Sequence, residues 1–390
     1  MKGSVRRRGK DPRKWTLVFD ASRVNGHRKQ QWVTFEGTKR EADAKLRELC
    51  GEVDDDQYVI GKETLGEFLD LWLERIKARV MTVSGSANDR EKAPNTFFTY
   101  ERHVRIQIKP ILGKKVLSKL TSLDIERAID AWRAMPNGKL ANKRLSGRTV
   151  FNVYTTLDAA LNKAVAWRRM KANPCRSVEP PEKGSSQISA LPVDDFMGLL
   201  VTLRKRELFV PCLFMALAGL RRGEVLGLER ESVDLVDGIA YISQQDGRML
   251  DGSLGLKRTK TKHVRRVTLA PELVYALELH MSKTEGNLVF PRPGVGGLWN
   301  PTTFSTALRD AGASVGVKVS SQRIRRVFST MSNRQGTARK AIAEIMGHSG
   351  GINLRHYDDV NLADKRAVTD LMGASVSKLL AERGLTLEKH

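Results

Sequence analysis

Near the C-terminus, Ile345-Met346-Gly347-His348-Ser349-Gly350-Gly351-Ile352-Asn353-Leu354-Arg355-His356-Tyr357 places a tyrosine nine positions after a histidine. A phenolic oxygen can attack phosphorus and hold a covalent phosphotyrosine, provided that cationic donors stabilise charge on the phosphate in the transition state. Two arginine-centred segments upstream could supply those cations. Ala218-Gly219-Leu220-Arg221-Arg222-Gly223-Glu224 reads as an apolar helix end, a glycine turn and a new helix start, a junction from which a guanidinium can grip a phosphate bidentately. Ser321-Gln322-Arg323-Ile324-Arg325-Arg326-Val327-Phe328 offers Arg325 beside an apolar helical face. Each piece alone has a bland counterpart: a satisfied buried histidine, a half-buried tyrosine, a surface turn with an ion pair. Their joint order argues for chemistry.

The rest of the chain must position these groups on a polyanion. Lys plus Arg number 67 against 44 Asp plus Glu, a formal charge of +23 over 390 residues. A field of that sign favours nucleic acid or an anionic membrane surface. No run approaches the roughly 18 apolar residues of a spanning helix, so nucleic acid is preferred. Cys50, Cys175 and Cys212 are far apart, which suggests neither a zinc site nor a disulfide framework, but thiols in a reducing cytosol. No metal or other cofactor is expected.

The length suggests two or three domains. A basic arm holding Arg6, Arg7, Arg8, Lys10 and Lys14 leads into the alternating strand Trp15-Thr16-Leu17-Val18-Phe19. A turn at Asn25-Gly26 and a second alternating run, Gln31-Trp32-Val33-Thr34-Phe35, suggest a hairpin. Thr38-Lys39-Arg40-Glu41 has the form of a capping box, and Ala42, Leu46 and Leu49 continue as a helical face. Residues 1–60 therefore read as a small sheet-plus-helix module, with aromatic and basic residues interleaved as a DNA-reading surface would need. From Thr64 to about Pro174 the pattern is that of a helical bundle with basic loops, assigned to residues 64–182. Pro180-Pro181-Glu182-Lys183-Gly184-Ser185-Ser186 is an exposed connector. Residues 188–390 read as mostly helical, with helices over 193–203, 210–217, 301–313, 325–335 and 339–346 and a small sheet within 238–269. The fold class is thus α+β and multidomain.

Together these segments resemble the tyrosine recombinase (phage integrase) family over essentially the whole chain. The family's Gly-Leu-Arg segment matches Arg221, its second catalytic arginine Arg325, its Leu-Gly-His box Met346-Gly347-His348 and its nucleophile Tyr357. Its β-hairpin lysine is matched by Lys260, with Lys257 and Lys262 as rivals, because the hairpin register is open. One departure stands at Gln322, where the family usually carries histidine or lysine. A glutamine amide can donate to phosphate but cannot exchange a proton near neutral pH.

The resemblance implies a site-specific recombinase that cuts and rejoins DNA through a 3′-phosphotyrosyl intermediate, without ATP or metal. It implies an arm-type DNA-binding domain built as a small three-stranded sheet plus helix, an all-helical core-binding domain and a catalytic domain, acting as a homotetramer on double-stranded DNA at core-type and arm-type attachment sites in the host cytoplasm. A DNA-bending protein and a directionality factor are expected partners. Val360, Leu362, Val368, Leu371, Met372, Val376, Leu379 and Leu380 form an apolar series that could pack on a neighbouring protomer or within its own chain. Other readings are a recombinase serving transposition or plasmid resolution, a type IB topoisomerase, or a DNA-binding protein with an active site impaired at Gln322.

Overall fold

The computed structural model describes residues 3–9, 11–24, 27–54, 63–82, 94–138, 140–184, 191–204, 206–258, 264–335, 339–347 and 362–384. The chain divides into two compact units, Met1–Ser186 and Gln187–His390.

Alternation of apolar and polar residues builds the first element of unit one. Strands β1 (Gly3–Arg7), β2 (Lys14–Val24) and β3 (His27–Glu36) form an antiparallel sheet in sequence order. The register places Val5, Leu17 and Val33 side by side on one face. That face closes on α1 (Lys39–Asp54), where Ala42, Leu46 and Leu49 bury against Leu17 and Phe19. The helix begins as the capping box predicts: Thr38 N–H donates to Glu41 Oε2 at 2.8 Å and Glu41 N–H to Thr38 Oγ1 at 3.3 Å. The first basic residues are not a free arm ahead of the sheet. They form β1, because Val5 can join the apolar face only if its neighbours pair with β2.

Helices α2 (Leu65–Thr82), α3 (Pro94–His103), α4 (Lys109–Leu112), α5 (Ser122–Ala134) and α6 (Gly147–Ala166) follow, with a π-helical turn over Val104–Ile108 between α3 and α4. Phe68, Leu69, Ile108, Trp132, Leu157 and Leu161 are fully buried among them. Trp132 Nε1 donates to the Gln107 carbonyl at 2.9 Å, within the π turn. A short hairpin, β4 (Pro136–Asn137) and β5 (Leu140–Arg144), interrupts what the sequence pattern reads as helix and loop. Pro136 and Gly138 stop the helix and supply the turn.

In unit two, α7 (Val193–Leu203), α8 (Phe209–Leu217) and α9 (Arg222–Leu226) precede strands β6 (Val233–Asp234), β7 (Ile239–Ile242), β8 (Gln244–Arg248), β9 (Leu254–Arg258) and β10 (Arg265–Thr268). Helices α10 (Pro271–Met281), α11 (Pro301–Ala313), α12 (Ser321–Arg334), α13 (Arg339–Met346) and α14 (Leu362–Ala381) complete it. One sheet has the order β10-β7-β6, and β8-β9 is a separate hairpin. Helix α8 is buried from Pro211 to Leu217 and is the hub of the core. Helix α12 starts at Ser321, about a turn before the apolar pattern, because the Ser320 hydroxyl accepts the Arg323 N–H at 3.3 Å. In α14, Val368, Met372, Val376 and Leu380 lie in this same core and Leu379 packs against it, so that side of the stripe is buried within its own unit, whereas Leu371 is exposed and Val360 lies outside the described residues.

Candidate active site

The turn carrying Arg221 is forced by its surroundings. Helix α8 ends at Leu217 with Ala218 as its C-cap, and Gly219 then adopts φ +59°, where a Cβ would lie 2.8 Å from the Phe328 ring and 3.1 Å from Met346. A side chain is excluded there by both conformation and space. The chain reverses, and Arg221 sits extended just ahead of α9. Of the two adjacent arginines, Arg222 is committed to α11, donating to Ser305 Oγ at 2.6 Å and to the Pro301 carbonyl at 3.1 Å. Arg221 turns the other way.

Glu224, only 1% exposed, is the centre of the site. Its Oε2 accepts the Arg221 N–H at 2.8 Å, and its Oε1 accepts Arg221 Nη1 at 2.9 Å. Arg265, the first residue of β10, donates through Nη1 to Oε1 at 3.1 Å and through Nη2 to Oε2 at 2.7 Å. Arg325 Nη1 is 3.7 Å from Oε2. Three guanidiniums thus share one carboxylate. Burial acts to raise the Glu224 pKa, but the hydrogen bonds and charge of Arg265, with those of Arg221, hold it below the ordinary carboxylate value.

The same three arginines reach the end of α13. Arg221 Nη2 donates to the Gly347 carbonyl at 2.9 Å, Arg265 Nε to that of Ile345 at 3.1 Å, and Arg325 Nη2 to that of Met346. Burial, and then repulsion from Arg221, push the Arg325 pKa down to about 9, with Glu224 offsetting part of the effect. Its Nη1 has no hydrogen-bond acceptor among the described residues. A buried cation cluster with surplus positive charge and an unused donor is chemically suited to phosphate oxygens.

The structure brings Arg221 and Arg325 together, as their order in the sequence predicts. Gln322 lies one turn before Arg325 on α12 and is exposed. Lys257, the rival on β9, is spoken for: its Nζ donates to the Arg248 carbonyl at 2.9 Å, and burial pushes its pKa down despite the nearby Asp246. Lys260, Lys262, His348 and Tyr357 lie outside the described residues. In the N-terminal sheet, Arg6 and Arg8 occupy the face turned from α1, together with Thr16, Thr34 and Trp32. Arg6 stands over the exposed Trp32 ring at 5.6 Å, and Arg8 donates to Thr34 Oγ1. Arg7 alternates to the other face, Lys14 pairs with Asp11 at 3.4 Å, and Lys10 lies outside the described residues. Among the described residues no cluster of His, Cys, Asp or Glu could hold a metal ion, and no helix is long and apolar enough to cross a membrane.

Two members of the cluster escaped the sequence reading. Glu224 was visible as the third residue after Arg221, where an acid reaches back to a helix start. Arg265 had no local signal, because its partners are far away in sequence.

Residues 197–363 match the phage integrase family. The chain is 24% identical over 346 residues to a XerC-like tyrosine recombinase of Caldanaerobacter subterraneus, covering 80% of this chain and 83% of that protein. An integrase of Mycobacterium phage L5 is 22% identical over 297 residues, covering 73% and 76%. Among solved structures, the Tn1549 transposon integrase bound to transposon right end DNA superposes with a TM-score of 0.58 at 19% identity, over 77% of this chain and 97% of that one. A lambda integrase tetramer bound to a Holliday junction gives 0.55 at 14% identity, over 92% and 98%.

Proposed function

We propose that this chain, which belongs to the phage integrase family of tyrosine recombinases, integrates and excises a mobile element by cutting and rejoining DNA at one crossover sequence. The observation that carries the reading is the convergence of Arg221 and Arg325 on Glu224 and on the carbonyls of Met346 and Gly347, the residues just before His348.

In this reading the Tyr357 oxygen attacks the scissile phosphorus as its phenolic proton passes to solvent. The P–O5′ bond breaks, a 3′-phosphotyrosyl ester forms, and Lys260 gives a proton to the departing 5′-oxygen. Arg221, Arg325 and His348 donate to the non-bridging oxygens as charge builds there, and Gln322 adds a neutral donor. The ester retains the energy of the cut bond, so a second 5′-hydroxyl can reverse the reaction without ATP.

Residues 1–60 serve as the arm-type DNA-binding domain through the Arg6–Trp32 face. Residues 64–182 grip core-site DNA, and residues 188–390 perform the chemistry. A homotetramer on two duplexes is proposed by analogy with the lambda integrase tetramer on its Holliday junction. Bridging arm and core sites bends DNA at an elastic cost of several kcal/mol, so an accessory bending protein is expected, together with a directionality factor. The reaction takes place in the host cytoplasm.

The test supplies the protein to cells carrying two plasmids that bear DNA from either side of its own gene. Recombinants joined at one short sequence, and lost with Tyr357→Phe, are expected. Joints scattered over many sequences, or independent of Tyr357, contradict the proposal.

A further inference from the structure

We infer that Arg265 is a positioning residue for strand transfer, holding β10, which begins five residues after Lys260, in register with the Arg221 turn and with the end of α13, just before His348 in sequence. The inference rests on the proposed function and adds a group to it.

Each of the three guanidinium nitrogens of Arg265 donates to a protein acceptor: Nη1 and Nη2 to the two oxygens of Glu224, Nε to the carbonyl of Ile345. Arg221 and Arg325, by contrast, each give Nη2 to one carbonyl near the end of α13, and Arg325 keeps an unused Nη1. Arg265 is therefore the member of the cluster least free to take a phosphate. Its side chain is 12% exposed, and Gly347 lies against it with φ +61°, where a Cβ would stand 3.1 Å from the guanidinium carbon.

The position along the chain gives this contact its meaning. Arg265 opens β10 and pairs with Ile242 of β7, so it is the residue at which the lysine segment joins the sheet. Lys260 is five residues upstream. The Arg221 turn arrives through Glu224, and the His348 turn through Ile345 and Gly347. Three segments that are far apart in sequence meet on one planar fork. A lysine has a single nitrogen and cannot span both carboxylate oxygens and a carbonyl at once. If Arg265 is removed, Glu224 is still held by the backbone N–H and guanidinium of Arg221. Strand β10, which follows the Lys260 segment in the chain, however, loses its tie to the cluster. Proton delivery to the leaving group should therefore suffer more than phosphate binding.

The experiment compares full-length wild type, Arg265→Met and Arg265→Lys on a nicked duplex that wild type traps covalently. The scissile linkage is made once with the natural 5′-oxygen and once with sulfur in its place. A thiolate leaves without a proton, because thiols are far more acidic than alcohols. Both variants should cleave the oxygen linkage about 10- to 100-fold more slowly than wild type, a scale taken from the loss of groups that orient metal ligands. The sulfur linkage should recover most of that loss in both. An equal slowing on the two linkages would mean general loosening, and would overturn the assignment even if thermal melts were unchanged. Wild-type rates in either variant, or full activity in Arg265→Lys alone, would overturn it as well. A wild-type protein that traps no duplex would instead fail the proposed function itself.

Discussion

Replacing Glu224 by glutamine keeps the shape of the side chain and removes the charge that three guanidiniums share. In the native site the carboxylate accepts four hydrogen bonds, from the Arg221 N–H and Nη1 and from both terminal nitrogens of Arg265. A glutamine amide must present its NH2 in place of one oxygen. At the Oε2 position it meets the Arg221 N–H and Arg265 Nη2; at Oε1 it meets Arg221 Nη1 and Arg265 Nη1. Either way two buried donors face a donor, at roughly 1–3 kcal/mol each. Three cations are also left with no counter-charge. Breaking a buried ion pair by removing one partner costs about 3–5 kcal/mol, and that range is expected here. At roughly 2–4 °C per kcal/mol for a domain of this size, calorimetry of the full chain should show the transition containing unit two falling by roughly 6–20 °C near pH 7. The pH dependence carries a sign. Glu224 is held below its ordinary value of 4.5, so its contribution is present above that value and lost as pH falls through the lower folded one. The gap between wild type and variant should therefore close on acidification below 4.5. A shift of less than about 1 kcal/mol near neutrality would refute the idea that Glu224 holds the cluster together.

Asp246 carries the opposite sign: burial pushes its pKa from 3.8 up to about 6, so the folded protein binds the extra proton and loses stability as pH rises between those values. Asp246→Asn should gain up to about 3 kcal/mol over wild type at pH 7.5 and little at pH 4, and thermal melts showing no pH-dependent gain would contradict this. Met372 on α14 is fully buried in its own unit, so Met372→Ala should cost about 2–5 kcal/mol in the free protein, read by denaturant unfolding without DNA. An unchanged midpoint would return the helix to the role of a contact with a second protomer. Deleting residues 1–60 should abolish binding to arm-type duplexes in gel shifts and leave core-site binding largely intact, whereas equal loss of both would remove the two-site idea.

Much of this was legible because the signals were local. Apolar periodicity gave α7, α11 and α13 at the residues the structure shows, and the Thr38-x-x-Glu41 capping box marked the start of α1. The arginines were found because each sits in a short string whose types announce a turn or a helix face. What stayed hidden depends on partners distant in sequence. Arg265 and Glu224 are 41 positions apart, and nothing near either residue reveals that they meet. Strand β1 was obscured because its arginines look like a solvated tail, and only pairing with β2 gives Val5 a buried place. The apolar stripe of α14 had a face but no stated partner, and tertiary packing alone decides which surface it covers.

Strand transfer by this chain requires that Tyr357 form a covalent bond with DNA. Nicked duplexes tiled from the sequence beside the protein's own gene should be incubated with wild type and with Tyr357→Phe, then resolved on denaturing gels. A protein-linked band in wild type, confined to one crossover sequence and absent from the phenylalanine variant, is the predicted result. Specific binding without a covalent band, or a band that survives in Tyr357→Phe, would contradict the account.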